Sequence, residues 1–238
     1  MSNTVPACPD DACPKPWREV APSLSTLARN LRAANREHAT IVTTSDHRAI
    51  EPHSGLEAKA AYVLLARPDC STIYEQPPRI AYRDHVGILR HHTFDFLVVA
   101  HSGRRIAVAV KPRAFADGLH ELMKHIATQL DRKFASGILV LTDLELSPIR
   151  VANAKAIHHS RRDRDPEHDR LVAHAASTLS GGAVSIHDLI ETAGLGQHEQ
   201  GFYAATRAIG DGVLQLASRG LIDRNALVRA TSTMRTAS

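Results

Sequence analysis

The hydrophobic positions of this chain change period several times, and each change marks an element. After Ser54, the residues Leu56, Ala60, Val63 and Leu64 recur at helical spacing. Ser54-Gly55-Leu56-Glu57 fits the S-x-x-E capping box, so a helix is predicted from Gly55 to about Leu65. Beyond Pro68, β-like runs follow at 72–75, 79–83, 93–100 and 105–110, the last two joined by His101-Ser102-Gly103. The period returns to helical from about 115 to 132, with Leu119, Leu122, Met123, Ile126 and Leu130 on one stripe. The wholly apolar run 137–141 reads as a strand covered on both faces.

The resulting order, α-β-β-β-β-α-β, predicts a mixed α/β core over residues 38–157. Ahead of it, residues 1–37 read as a Pro-rich leader and a short amphipathic helix carrying Leu24, Leu27 and Leu31. The stretch 158–170 is almost entirely polar or charged and reads as a linker or connecting helix. Residues 171–238 read as a smaller helical domain, with helices at 185–193, 202–219 and 225–231 and stop signals at Gly194 and Gly220.

Composition narrows the class. With 43% hydrophobic and 23% charged residues the chain reads as a soluble globular protein, and with 4% aromatics its core rests on aliphatic side chains. The net charge of +4, with 15 histidines besides, leans toward polyanionic partners. No apolar run is long enough to span a bilayer and no signal-peptide core is present, so no membrane partner and a cytoplasmic location are expected. Three cysteines, Cys8, Cys13 and Cys70, exclude a full disulfide framework, and no second cysteine pair completes a zinc knuckle around the first two.

One pair of strands carries candidate chemistry. Alternation places Phe94, Phe96 and Val98 on one face of the first strand, and Ile106, Val108 and Val110 on one face of the second. A three-residue loop with Gly103 in the left-handed region sets Ala100 opposite Arg104, and hence Asp95 opposite Ala109 and beside Lys111. A carboxylate in so apolar a strand costs several kcal/mol unless it is paired or coordinated. Asp95 therefore requires a salt bridge to Lys111 or a functional site.

Four motifs in order resemble the N-terminal domain of TnsA, the endonuclease subunit of heteromeric transposases. They are Ser54-Gly55-Leu56-Glu57, Glu75-Gln76-Pro77, His92-Thr93-Phe94-Asp95-Phe96, and Ala107-Val108-Ala109-Val110-Lys111-Pro112. The resemblance spans about residues 54–140, and it implies a restriction-endonuclease-like mixed sheet flanked by helices, followed by a winged-helix-like domain. It implies further that Glu57, Asp95 and the Val110 carbonyl hold Mg²⁺ or Mn²⁺, that Lys111 acts on the nucleophilic water or the developing charge, and that Gln76 and His92 face DNA. The implied partners are double-stranded DNA and, through the C-terminal domain, a transposase subunit and an ATPase regulator.

Ala109 departs from the pattern. The family calls for Glu or Gln there, and a methyl group cannot ligate a cation. Three explanations stay open: a weakened or inactive nuclease, a substitute donor such as His91 or His92, or an engineered loss. Glu57 also has a plain reading as the capping acid of its helix. The leading expectation is a metal-dependent endonuclease cutting one strand at mobile-element ends. The alternatives are a non-catalytic DNA-binding or scaffolding protein on the same fold, and a stand-alone restriction- or resolvase-like nuclease.

Overall fold

The computed structural model describes residues 20–25, 40–179, 182–196 and 199–231. The leader and most of the predicted N-terminal helix lie outside the described residues.

The elements run β1 (Ile41–Val42), β2 (Ala49–Ile50), α1 (Gly55–Leu65), β3 (Cys70–Glu75), β4 (Ile80–Arg83), β5 (Leu89–His92), β6 (Phe96–Ala100), β7 (Arg105–Val110), α2 (Ala116–Ala127), β8 (Ile138–Leu141) and α3 (Pro148–Ser160). A central sheet has the order β3-β6-β7-β8, with β8 parallel to β7 and the other neighbours antiparallel. The chain is thus mixed α/β, with a mixed sheet flanked by helices. Among the described residues no helix is long and apolar enough to cross a membrane.

Period-2 alternation sorts the sheet into two packed faces. Phe96, Val98, Val108 and Val110 pack with Ala60, Ala61 and Leu64 of α1. Leu97, Ala107 and Ala109 pack with Met123 and Ile126 of α2. α1 starts where the capping box places it, with the Glu57 N–H donating to Ser54 Oγ at 3.2 Å. The β6–β7 hairpin has the expected loop: Ala100 N–H donates to Arg104 O at 2.8 Å, and Gly103 sits at φ +80°.

Phe94 breaks the alternation. It joins the α2-side cluster instead of lying with Phe96 and Val98, because the chain bends at Asp95 and β6 begins only at Phe96.

The C-terminal part differs more from the expectation. It runs α4 (Pro166–Ser177), β9 (Val184–Ser185), α5 (Ile186–Thr192), α6 (Glu199–Gly210), β10 (Leu214–Leu216) and β11 (Leu227–Ala230), with sheet order β10-β11-β9. The helices expected at 202–219 and 225–231 are corrected: the first stops at Gly210, and the strands 214–216 and 227–230, with turns around them, take the place of the rest. Gly212, at φ +77°, ends the helical path, and Leu214 and Leu216 then alternate around Gln215 at strand period.

The polar stretch 158–170, expected as a linker or connecting helix, consists of two helix ends and a short turn. α3 runs to Ser160, and α4 begins at Pro166 with Asp165 capping the N–H groups of Glu167 and His168. The charges that suggested solvent satisfy one another. Arg207 of α6 is fully buried; its Nε lies 2.7 Å from Asp169, and its Nη1 donates to the carbonyls of Ser160 and Asp163. Arg161 donates to Leu65 O at the end of α1 and to Gly210 O at the end of α6, closing two helix C-termini at once. The C-terminal helices are therefore fastened to the sheet-bearing part of the chain through this arginine-rich turn.

Candidate active site

Asp95 sits one rung beyond the last paired residues of β6 and β7, Phe96 and Val108. Its main-chain N–H donates to Val108 O at 3.0 Å, while its side chain takes the next rung, with Oδ2 accepting the Val110 N–H at 2.7 Å. Oδ1 lies 3.5 Å from Nε2 of Gln76, whose own N–H donates to Asp95 O at 2.9 Å. Two polar groups thus fix the carboxylate before any ligand arrives.

Burial pushes the Asp95 carboxyl up to about 6. Glu57 raises it further by like charge, whereas the Val110 N–H, Gln76 and Lys111 act to lower it. Glu57 and Lys111 are therefore both within electrostatic reach of Asp95, from α1 and from the end of β7.

Glu57 is also fully engaged in starting its helix. Its Oε2 accepts the His53 N–H at 2.8 Å and its Oε1 accepts the Ser54 hydroxyl at 2.9 Å. The capping role is present, and it aims the acid at the N-terminus of α1.

Gln76, expected to face DNA, is buried against Asp95 instead. It adopts φ +42°, a left-handed conformation that costs a non-glycine residue energy and persists only where its surroundings impose it. Those surroundings begin at Glu75, which is 1% exposed and lies 2.9 Å from Nη1 of Arg48. Glu75 also accepts the Leu24 N–H and the Ser23 hydroxyl, and Arg48 donates to Ile73 O. Arg48 and Glu75 were missed by sequence reasoning. An acid directly following Ile73 and Tyr74 in a buried strand was the available signal, since it demands a buried partner.

His92 is half-buried at the base of β5, edge-on to Phe94 at 4.8 Å, and burial together with Lys111 holds its imidazole pKa low. Its Nε2 is buried without a partner. His91 is exposed on the neighbouring position. Lys111 is exposed at the strand end, its N–H donating to Leu141 O.

Ala109 is 2% exposed and packs on the α2 side with Phe94, Leu97 and Met123. The paired register of β6 and β7 ends at Phe96 opposite Val108, one residue short of Asp95 and Ala109. Among the described residues, no group of three or more His, Cys, Asp or Glu side chains is placed to hold a metal ion.

No protein-family profile and no curated protein matches the chain.

Proposed function

We propose that the chain is a divalent-metal endonuclease of the TnsA-like type, built on a restriction-endonuclease-like core and weakened by the loss of one ligand at Ala109. The observation that carries this reading is the half-buried Asp95 carboxylate held by Val110 and Gln76, with Glu57 and Lys111 within electrostatic reach of it.

The donor chemistry suits a hard cation. Each oxygen of Asp95 and of Glu57 makes one hydrogen bond here, and a carboxylate oxygen has a second lone pair for an ion. The residues that would hold Mg²⁺ or Mn²⁺ are Asp95, Glu57 and the Val110 carbonyl, with water completing the shell. The bound ion would supply charge stabilisation and a more acidic water.

The protein's own contributions follow from position. With its carboxyl pushed up to about 6, Asp95 becomes mostly ionised toward neutral pH. Gln76 and the Val110 N–H fix its orientation, which removes a reorganisation cost from the reacting state. Lys111 places a positive charge next to the same carboxylate, where the phosphodiester gathers negative charge.

The C-terminal order α4-β9-α5-α6-β10-β11, with β9 and β10 flanking β11, supports a winged-helix reading. In that architecture the last helix is the one that enters a groove. Here α6 packs against α3, and a side chain at Gly210 would collide with Ile157. The segment between β10 and β11 is tied down as well, Asn153 bonding Gly220 O and the Ile222 N–H. These contacts favour a docking role, for a transposase subunit or an ATPase regulator, over direct reading of DNA by α6.

A second reading, a DNA-binding scaffold on a vestigial nuclease core, draws on the buried Ala109 and on the Glu57 cap. Titration of Mn²⁺ into the protein, followed by thermal melting, separates the two. The nuclease reading expects a Mn²⁺-dependent rise in melting temperature that Asp95→Asn abolishes; a scaffold shows none.

A further inference from the structure

The hairpin β4–β5 stands apart from the central sheet as a two-stranded ribbon of its own, paired from Ile80 opposite His92 to Arg83 opposite Leu89. It is inserted between Gln76 and Asp95, so both of its strands are rooted at the candidate site, with His92 at its base beside Lys111. Four residues per strand give a stem of about 13 Å.

This ribbon is rigid. On one side Ile80 and Tyr82 pack onto the α2 cluster. Gln129 accepts the Arg83 N–H and donates back to Arg83 O, and His125 also bonds that carbonyl. The tip is closed by Asp84, which accepts the N–H groups of Val86 and Ile88, and by Arg83, which donates to Gly87 O. Yet the tip it holds is apolar and uncovered: Val86 is 78%, Ile88 52% and Leu89 56% exposed. A braced turn that presents aliphatic side chains to solvent is a surface awaiting an occupant.

Charge identifies the occupant. The segment 79–92 carries three arginines and three histidines against a single aspartate. Asp84 pairs with Arg90 at 3.1 Å, which leaves the stem positive. A cationic two-stranded ribbon with an apolar tip matches duplex DNA, whose major groove, about 12 Å wide, admits such a ribbon and whose base steps accept aliphatic wedges. A basic protein surface would repel it.

We infer that the β4–β5 hairpin seats in a groove of duplex DNA beside the scissile phosphate, with its arginines against the backbone and Val86 and Ile88 against the bases. The inference rests on the nuclease reading for the position of that phosphate, but the hairpin contact itself requires no cutting.

The test uses the full chain without metal and a short fluorescent duplex, with a second duplex carrying aminopurine to report unstacking. Val86→Ser with Ile88→Ser, both at exposed positions, should leave the thermal melt unchanged. It should weaken binding by about tenfold, leave the salt dependence unaltered and abolish the aminopurine signal. Arg79→Ala should lower the slope of log K against log salt by about 0.9, as expected for one lost phosphate contact. Equal binding and unstacking by the tip variant, or no duplex binding by the parent protein, would overturn the inference. So would a tip variant that changes only self-association in sedimentation, which would assign the tip to a second copy of the chain. Tip-dependent binding with no nicking under any metal by either the parent or Ala109→Glu would leave the hairpin contact standing and remove the nuclease reading; nicking with tip-independent binding would do the reverse.

Discussion

The N–H of Val110 donates to Oδ2 of Asp95 at 2.7 Å, so a side chain replaces the next main-chain rung where β6 and β7 part. This one bond accounts for two features. It bends the chain so that Phe94 leaves the face of Phe96, and it holds a carboxylate in a largely buried position with a fixed aim.

That position has a stability consequence. The Asp95 carboxyl is raised from 3.8 to about 6, so the fold prefers it protonated. The associated stability is present below the unfolded value, 3.8, and is lost as pH rises through about 6. Asp95→Asn should therefore stabilise the protein at about pH 8, on the order of 1–2 kcal/mol after allowance for partial exposure, and flatten the stability profile between those two values. Urea melts at several pH values measure this; an asparagine variant less stable than the parent at alkaline pH would contradict it.

Arg48 and Glu75 form a buried ion pair that carries the left-handed Gln76 at its edge. Arg48→Met strands the Glu75 charge and should cost about 3–5 kcal/mol. Adding Glu75→Gln should recover part of that loss, because a neutral amide still accepts from the Leu24 N–H. Denaturation of the single and double variants checks the ordering, and a double variant as unstable as Arg48→Met alone would show that charge burial is not the cause.

Much of this was legible in the sequence. The β6–β7 register as far as Phe96 opposite Val108 follows from alternation and from one left-handed glycine, because a side-chain period of two leaves few alternatives. The start of α1 followed from its capping box. Alternation failed at Phe94, since no pattern of bulk reveals a side chain that takes a backbone's place. Gln76 was read as outward-facing because its inward aim depends on Arg48, which is remote in the chain. Strands β10 and β11 escape the pattern because three or four residues are too few to separate a strand period from a helical one. The polar turn at 161–165 looked like a linker because charge pairing across α3, α4 and α6 is a tertiary property.

That turn should resist proteolysis. Arg207 occupies the carbonyls of Ser160 and Asp163 and the carboxylate of Asp169. Limited trypsin digestion should leave 158–170 intact in the parent protein and cut there in Arg207→Met, whose lost bonds open the turn. Release of a C-terminal fragment from the parent by cleavage in this stretch would mean that the arginine cluster does not hold.

The central claim, a nuclease site one ligand short, is tested most directly by nicking of supercoiled plasmid in Mg²⁺ by Ala109→Glu beside the parent protein. The substitution lengthens a side chain that packs with Phe94 and Met123, so a stability loss of about 1–3 kcal/mol is expected, and circular dichroism must show the variant folded. On the proposed reading, the added carboxylate supplies a further oxygen donor near Asp95. The expected result is nicking raised by orders of magnitude over the parent and removed again by Asp95→Asn in the same background. A folded Ala109→Glu variant that nicks no faster than the parent, or nicking that survives Asp95→Asn, would contradict the account.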